Sequence, residues 1–139
     1  MKKLLLLILL ILVTGRLFAQ EEAPKPDKDN SLVILWTTAE KDVFTKMIYI
    51  YALNTIKNKS FDEVILIVWG PSAKLLAEDK ELQGMLAKLK EAGVVLEACK
   101  WCSDQYEVSG DLEACSIDVK YMGKPLTEYI KTGKNVLVF

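Results

Sequence analysis

Residues 64–69 read Val-Ile-Leu-Ile-Val-Trp, an unbroken apolar run that is followed at once by Gly70-Pro71-Ser72. A strand that is apolar on both faces is typical of the centre of a parallel sheet, because helices cover both faces of such a sheet. Pro71 suits the first turn of a helix, where its missing N–H costs no hydrogen bond. The stretch therefore predicts a central strand, a turn and then a helix.

Strands and helices alternate outward from this central strand. The sequence predicts strands at residues 31–36, 94–99, 117–121 and 135–139, the third of which alternates apolar and charged residues as an outer strand does. Helical spacing fills the intervals, with residues 101–115 divided into two short helices by Ser109-Gly110. We therefore predict an α/β fold, in three α/β/α layers, with a mainly parallel five-stranded sheet as in flavodoxin-like proteins.

Local signals place the ends and the inner face of the first helix. Thr37 and Glu40 have the spacing of a capping box, and Asn58 is a plausible left-handed stop. The predicted inward stripe consists of Val43, Phe44, Met47, Ile48 and Tyr51.

The N-terminal residues predict export. Lys2 and Lys3 precede an apolar run at residues 4–13, and Ala19 is a suitable cleavage position, so residues 1–19 are interpreted as a signal peptide. Arg16 interrupts the run too early for a stable membrane span. Residues 20–30 hold two prolines among charges and predict a flexible linker to one domain at 31–139. We expect a periplasmic or secreted protein; anchoring by an uncleaved signal peptide is the alternative.

Composition excludes several kinds of site. The chain has no histidine, and its only arginine is Arg16. Histidine-dependent nucleophilic sites, histidine-ligated metals and guanidinium clamps are therefore impossible in the domain. We expect no metal and no cofactor. Cleavage would leave 15 basic against 19 acidic residues, a net charge of about −4, which gives no basic surface for nucleic acid.

In open parallel sheets, ligands bind beyond the carboxyl ends of the strands. This rule selects the residues that follow the predicted strands. The candidate site residues are Trp36, Thr37, Trp69, Gly70, Ser72, Cys99, Cys102, Tyr121 and Met122.

Four segments resemble the DsrE-like family (DsrE and DsrF). They are residues 35–37 (LWT), 68–77 (VWGPSAKLLA), 96–99 (LEAC) and 119–123 (VKYMG), in the family's order across 31–139. The resemblance implies a parallel α/β/α fold and assembly as a trimer or hexamer. It also implies that sulfur is carried as a persulfide on a cysteine after the third strand, and Cys99 occupies the matching position.

Three functional hypotheses follow. In the leading one, a Cys99 thiolate accepts sulfane sulfur, Cys102 is its resolving partner, and another protein is the sulfur donor or acceptor; the chain would then be sulfurtransferase-like. The first alternative is a non-catalytic oligomeric module that binds a small ligand and holds a structural Cys99–Cys102 disulfide. The second is thiol–disulfide exchange by the C-x-x-C pair. Either of these cysteines could instead pair with Cys115, and the odd count leaves one thiol free or shared between chains.

Overall fold

The computed structural model describes residues 29–139. The predicted signal peptide and residues 20–28 of the predicted linker lie outside this part of the chain. The strands are β1 (Ser31–Trp36), β2 (Glu63–Val68), β3 (Val95–Cys99), β4 (Asp118–Lys120) and β5 (Asn135–Val138). The helices are α1 (Lys41–Val43), a π-helical turn (Phe44–Ile48), α2 (Tyr49–Lys57), α3 (Pro71–Glu78), α4 (Lys80–Glu91), α5 (Lys100–Gln105), α6 (Ser109–Ala114) and α7 (Gly123–Lys131).

The five strands form one parallel sheet in the order β4-β3-β2-β1-β5. β2 lies at its centre, where Leu66 pairs with Ile34 of β1 and with Leu96 of β3. The predicted α/β class and the parallel sheet are confirmed. The likeness to flavodoxin lies in the layers, because the flavodoxin strand order is 2-1-3-4-5.

The strand order makes the two faces of the sheet unequal. The crossovers from β1 to β4 all step in one direction, so right-handed connections place their helices on one face. Ile34, Leu66 and Ala98 belong to the large core on that face. The connection from β4 to β5 returns across the sheet and places α7 on the other face. Ile67 and Cys99 belong to the smaller core beneath α7.

The first helical segment departs from the predicted inward stripe. The Tyr49 amide bonds to the Phe44 carbonyl, which closes the wide turn at Phe44–Ile48. A π turn rotates the chain less per residue than an α turn, so the inward direction falls on different residues beyond it. Met47 and Tyr51 are 50% and 41% exposed, and their predicted place in the core is wrong.

Two predicted ends of that segment are also wrong. Glu40 is the residue before α1, and no side chain caps this helix. The Thr37 hydroxyl instead donates to the Phe139 carbonyl at 2.6 Å, which ties the end of β1 to the end of the chain. Asn58 has a φ of −84°, whereas Lys59 takes the left-handed conformation with a φ of 52°.

Ser109 and Gly110 begin α6 and do not break a helix, contrary to the prediction. The interruption between α5 and α6 lies at residues 106–108. The Ser109 hydroxyl donates to Asp104 at 2.6 Å and contacts the Ser103 hydroxyl at 2.7 Å, so Ser109 fastens α6 to α5.

Within residues 29–139, no helix combines the length and the apolar character that a membrane crossing needs.

Replacing Leu66 by alanine tests the central place of β2. Leu66 is fully buried, so Leu66→Ala should lower the free energy of unfolding by about 2–5 kcal/mol, through lost transfer energy and the cavity left behind. Leu137 on the edge strand β5 is 39% exposed, and Leu137→Ala is the matched control, with an expected loss of about 1 kcal/mol. Urea unfolding of both variants measures the difference. Equal losses would contradict the central position of β2.

Candidate functional site

A cavity of about 300 Å³ opens at the carboxyl ends of β2, β3 and β4. Most of its wall is made of aromatic side chains, sulfur atoms and a methionine. The lining residues are Trp69, Cys99, Trp101, Cys102, Tyr121, Met122 and Gly123. The structure thus brings together five of the nine residues that the sequence selected, at the edge of the sheet that the parallel topology indicates.

Two thiols meet in this cavity. Cys99 is the last residue of β3 and directly precedes α5, and Cys102 lies one turn into that helix. Both are buried, at 4% and 7% exposure. Both side chains belong to the smaller core beneath α7. Both are free cysteines in the structure.

The two thiols have different surroundings. Burial and the hydrogen bond with Cys99 raise the pKa of Cys102 to about 11, although the Gly70 amide donates to the Cys102 sulfur and works in the opposite direction. Cys102 therefore keeps its proton at neutral pH. A protonated neighbour is a hydrogen-bond donor, and a donor favours a negative charge on the sulfur that it faces.

The backbone conformation of Gly70 shapes the turn next to Cys102. It has a φ of 72°, a left-handed conformation that glycine adopts without strain. A methyl group at this position would meet only the Thr37 carbonyl oxygen, at 3.9 Å, so the conformation and not the space requires glycine. This turn directs the Gly70 amide to the Cys102 sulfur.

Ser72 does not line the cavity, which corrects its predicted place in the binding wall. It is fully buried, and its hydroxyl donates to the Trp36 carbonyl at 2.7 Å while accepting from the Trp69 amide at 3.0 Å. Ser72 therefore ties the start of α3 to the ends of β1 and β2.

Trp36 and Thr37 are also absent from the cavity wall. The Trp36 ring is fully buried in the large core, with its centroid 4.5 Å from that of Phe44. It points away from the face that carries Cys99, because successive side chains of a strand alternate between faces. The Thr37 hydroxyl donates its hydrogen bond to the Phe139 carbonyl, outside the cavity.

The lysines nearest the thiols are paired with carboxylates. Lys100 contacts both carboxylate oxygens of Asp104, at 2.7 and 2.8 Å. Lys120, which pairs with Cys99 across the sheet, contacts Glu97 and Asp118 at 2.6 Å each. Burial works to lower the pKa of Lys120, but hydrogen bonds with Asp118 and Glu97 outweigh it and raise that pKa. Lys120 thus stays protonated, and the two carboxylates balance its positive charge.

Glu97 is a charged residue in the smaller core that the sequence-based selection missed. It is 4% exposed and lies two residues before Cys99 on β3, so both side chains face α7. The Tyr129 hydroxyl donates to it at 2.9 Å, and Lys120 also contacts it. A single acidic residue within an apolar strand was the available signal, because such a group needs buried partners.

Trp101 and Gly123 also line the cavity without having been selected. Trp101 is 62% exposed, lies between the two cysteines and closes one side of the opening. Its place inside the C-x-x-C segment was the available signal. Gly123 is the first residue of α7, and only the packing of α7 on the sheet brings it to the cavity.

Cys115 lies apart from the pair, at the end of α6 against the large core. Burial raises the pKa of its thiol. Among residues 29–139, no group of three or more cysteine, aspartate or glutamate side chains is arranged to hold a metal ion.

Comparison with solved structures finds a protein that is similar to this chain in both sequence and fold. The conserved protein of unknown function BT1422 from Bacteroides thetaiotaomicron superposes with a TM-score of 0.77 and 37% identity, over 79% of this chain and 95% of that one. The chain belongs to the same family as that protein. Because the function of BT1422 is unknown, membership brings no activity with it.

A more distant structure has the same fold. The YchN protein of E. coli superposes with a TM-score of 0.61 at 18% identity, over 79% of this chain and 99% of that one. No protein-family model and no curated protein sequence matches the chain.

A serine-to-alanine change separates a structural Ser72 from a ligand-binding one. Ser72→Ala should lower the free energy of unfolding by about 1–3 kcal/mol, because buried backbone groups lose a partner. The control Ser60→Ala removes an exposed hydroxyl and should leave stability within about 0.5 kcal/mol. Urea unfolding and the rate of Cys99 alkylation are measured together. Unchanged stability with altered alkylation would place Ser72 in the site.

Proposed function

We propose that this protein binds and transfers sulfane sulfur as a persulfide on Cys99. The observation that carries the proposal is that Cys99 and Cys102 line one largely apolar cavity at the carboxyl ends of the central strands. The resemblance to the DsrE-like family supports it, because Cys99 occupies the position of that family's sulfur-carrying cysteine.

Loading requires a thiolate and a donor that contains sulfane sulfur. The Cys99 thiolate attacks the sulfane sulfur, a new S–S bond forms on Cys99, and the bond between that sulfur and the rest of the donor breaks. The donor leaves with the electron pair as a thiolate or a shortened polysulfide. Transfer is the same step in reverse, with an acceptor thiolate attacking the outer sulfur of the persulfide.

The surroundings of Cys99 suit this chemistry. Aromatic rings and Met122 form most of the wall, and sulfur is a soft, polarisable atom that packs well against aromatic groups. Lys100 and Lys120 are engaged by carboxylates, so no unpaired lysine at these positions draws a bulky anion to the thiol. The Cys102 S–H supplies a donor to the sulfur that carries the charge. Together these features favour a small sulfur species over a phosphate or carboxylate ligand.

The assembly and location of this carrier are parts of the same proposal. By resemblance to the DsrE-like family, the working unit is a trimer or hexamer that exchanges sulfur with a donor or acceptor protein. The sequence of residues 1–19 supports action in the periplasm or outside the cell.

Thiol–disulfide exchange is the second candidate, and the contact between Cys99 and Cys102 favours it. It differs from sulfur transfer in its product. Exchange removes two hydrogen atoms from the pair, whereas sulfur loading adds one sulfur atom to Cys99. Intact mass therefore separates the two functions.

Replacing Cys99 by serine tests the carrier. Folded, reduced wild-type protein treated with inorganic polysulfide should gain the mass of one sulfur atom, and a reductant should remove it. Cys99→Ser should lower this gain by about tenfold or more, because the accepting thiolate is gone. Intact mass under non-reducing conditions, followed by peptide mapping, measures the gain and its position.

Cys115→Ser is the matched control, since Cys115 is another partly buried thiol outside the cavity. It should load like the wild type. A Cys99→Ser protein that gains as much sulfur as the wild type would show that Cys99 is not the carrier.

A further inference from the structure

We propose that Cys102 discharges the persulfide of Cys99 within the same chain, releasing hydrogen sulfide and leaving a Cys99–Cys102 disulfide. This second activity rests on the proposed function, because it begins from a loaded Cys99. It converts sulfane sulfur to sulfide without a second protein.

The position of Cys102 decides which sulfur it can attack. Cys102 follows Cys99 by one helical turn, and both side chains line the same cavity and belong to the smaller core. A sulfur atom added to Cys99 enters this cavity, whose exposed aromatic lining residues are Trp101 and Tyr121, at 62% and 63% exposure. The inner sulfur, which belongs to Cys99, therefore stays next to Cys102.

The step is balanced within the protein. Cys102 loses its proton and attacks the Cys99 sulfur, and the Cys99–Cys102 bond forms as the bond to the outer sulfur breaks. The outer sulfur leaves as hydrosulfide with the electron pair and takes up a proton as hydrogen sulfide. The two cysteine sulfurs are oxidised to a disulfide, and the sulfane sulfur is reduced to sulfide. No external oxidant or reductant is needed.

The environment of Cys102 sets the speed of this step. Burial and the contact with Cys99 raise the pKa of Cys102 to about 11, so only a small fraction of Cys102 is thiolate at neutral pH. The Gly70 amide supports that thiolate when it forms. A loaded Cys99 consequently persists long enough to meet an acceptor, and discharge follows when none arrives.

A loaded sample that is freed from its donor tests the discharge. Wild-type protein is loaded with inorganic polysulfide, desalted under nitrogen and followed by intact mass and by a sulfide assay. We expect the added sulfur to disappear with one equivalent of sulfide, and peptide mapping to find the Cys99–Cys102 disulfide. The rate should be independent of protein concentration and rise by about tenfold per pH unit below the pKa of Cys102.

Variants at the other two cysteines separate the possibilities. Samples of wild type and Cys102→Ser that carry equal amounts of added sulfur are compared, and the variant should lose this sulfur at least about tenfold more slowly. Cys102→Ala is the second variant if a serine hydroxyl disturbs the buried site, and circular dichroism checks the fold of both. Cys115→Ser should discharge like the wild type, because Cys115 lies outside the cavity.

Equal rates of sulfur loss in the wild type and in a folded, loaded Cys102 variant would overturn the discharge while leaving the carrier function intact. Failure of Cys99 to load at all would overturn both. Loss of sulfur whose rate increases with protein concentration would also overturn the discharge, because it would show transfer between molecules.

Discussion

The parallel pairing of β2 with β1 on one side and β3 on the other is the interaction on which the rest of the structure depends. It buries Leu66 at the centre and brings the carboxyl ends of three strands to one edge. Ser72 fixes that edge by joining the Trp36 carbonyl to the Trp69 amide. The Gly70 turn lies between these two bonds, next to the cavity.

The unequal faces of the sheet explain why the thiols lie in an accessible cavity. Most helices pack on the face that holds Trp36, whereas the smaller core on the face of Cys99 is covered by α7 and by Cys102 of α5. Glu97 and Tyr129 join β3 to α7 there, which positions the first turn of α7 beside the cavity. The large core thus supplies stability, and the thinly covered face leaves room for chemistry at Cys99.

Most of the fold was predictable, because short patterns mark its elements: unbroken apolar runs mark the strands, and Pro71 marks the start of a helix. The parallel topology then indicates the edge of the sheet at which the site lies. The wrong predictions arise where the fold departs from the local pattern on which they were based. Thr37 bonds Phe139 instead of capping the next helix, and a π turn moves Met47 out of the core. Within the site, sequence reasoning selected the cysteines correctly for the cavity. It could not distinguish residues that line the cavity from a residue such as Ser72, which joins the ends of two strands. That distinction depends on packing across the strands.

The central claim is that Cys99 is a reactive thiol poised beside Cys102. Its most direct test is intact mass of the protein isolated from its native source and alkylated without reduction, followed by peptide mapping of the three cysteines. The account predicts that Cys99 is alkylated, carries an extra sulfur, or forms a disulfide with Cys102, and that a reductant removes the sulfur or opens the disulfide in the folded protein. A Cys99–Cys102 disulfide that opens only after denaturation would contradict it, because the pair would then be a structural link.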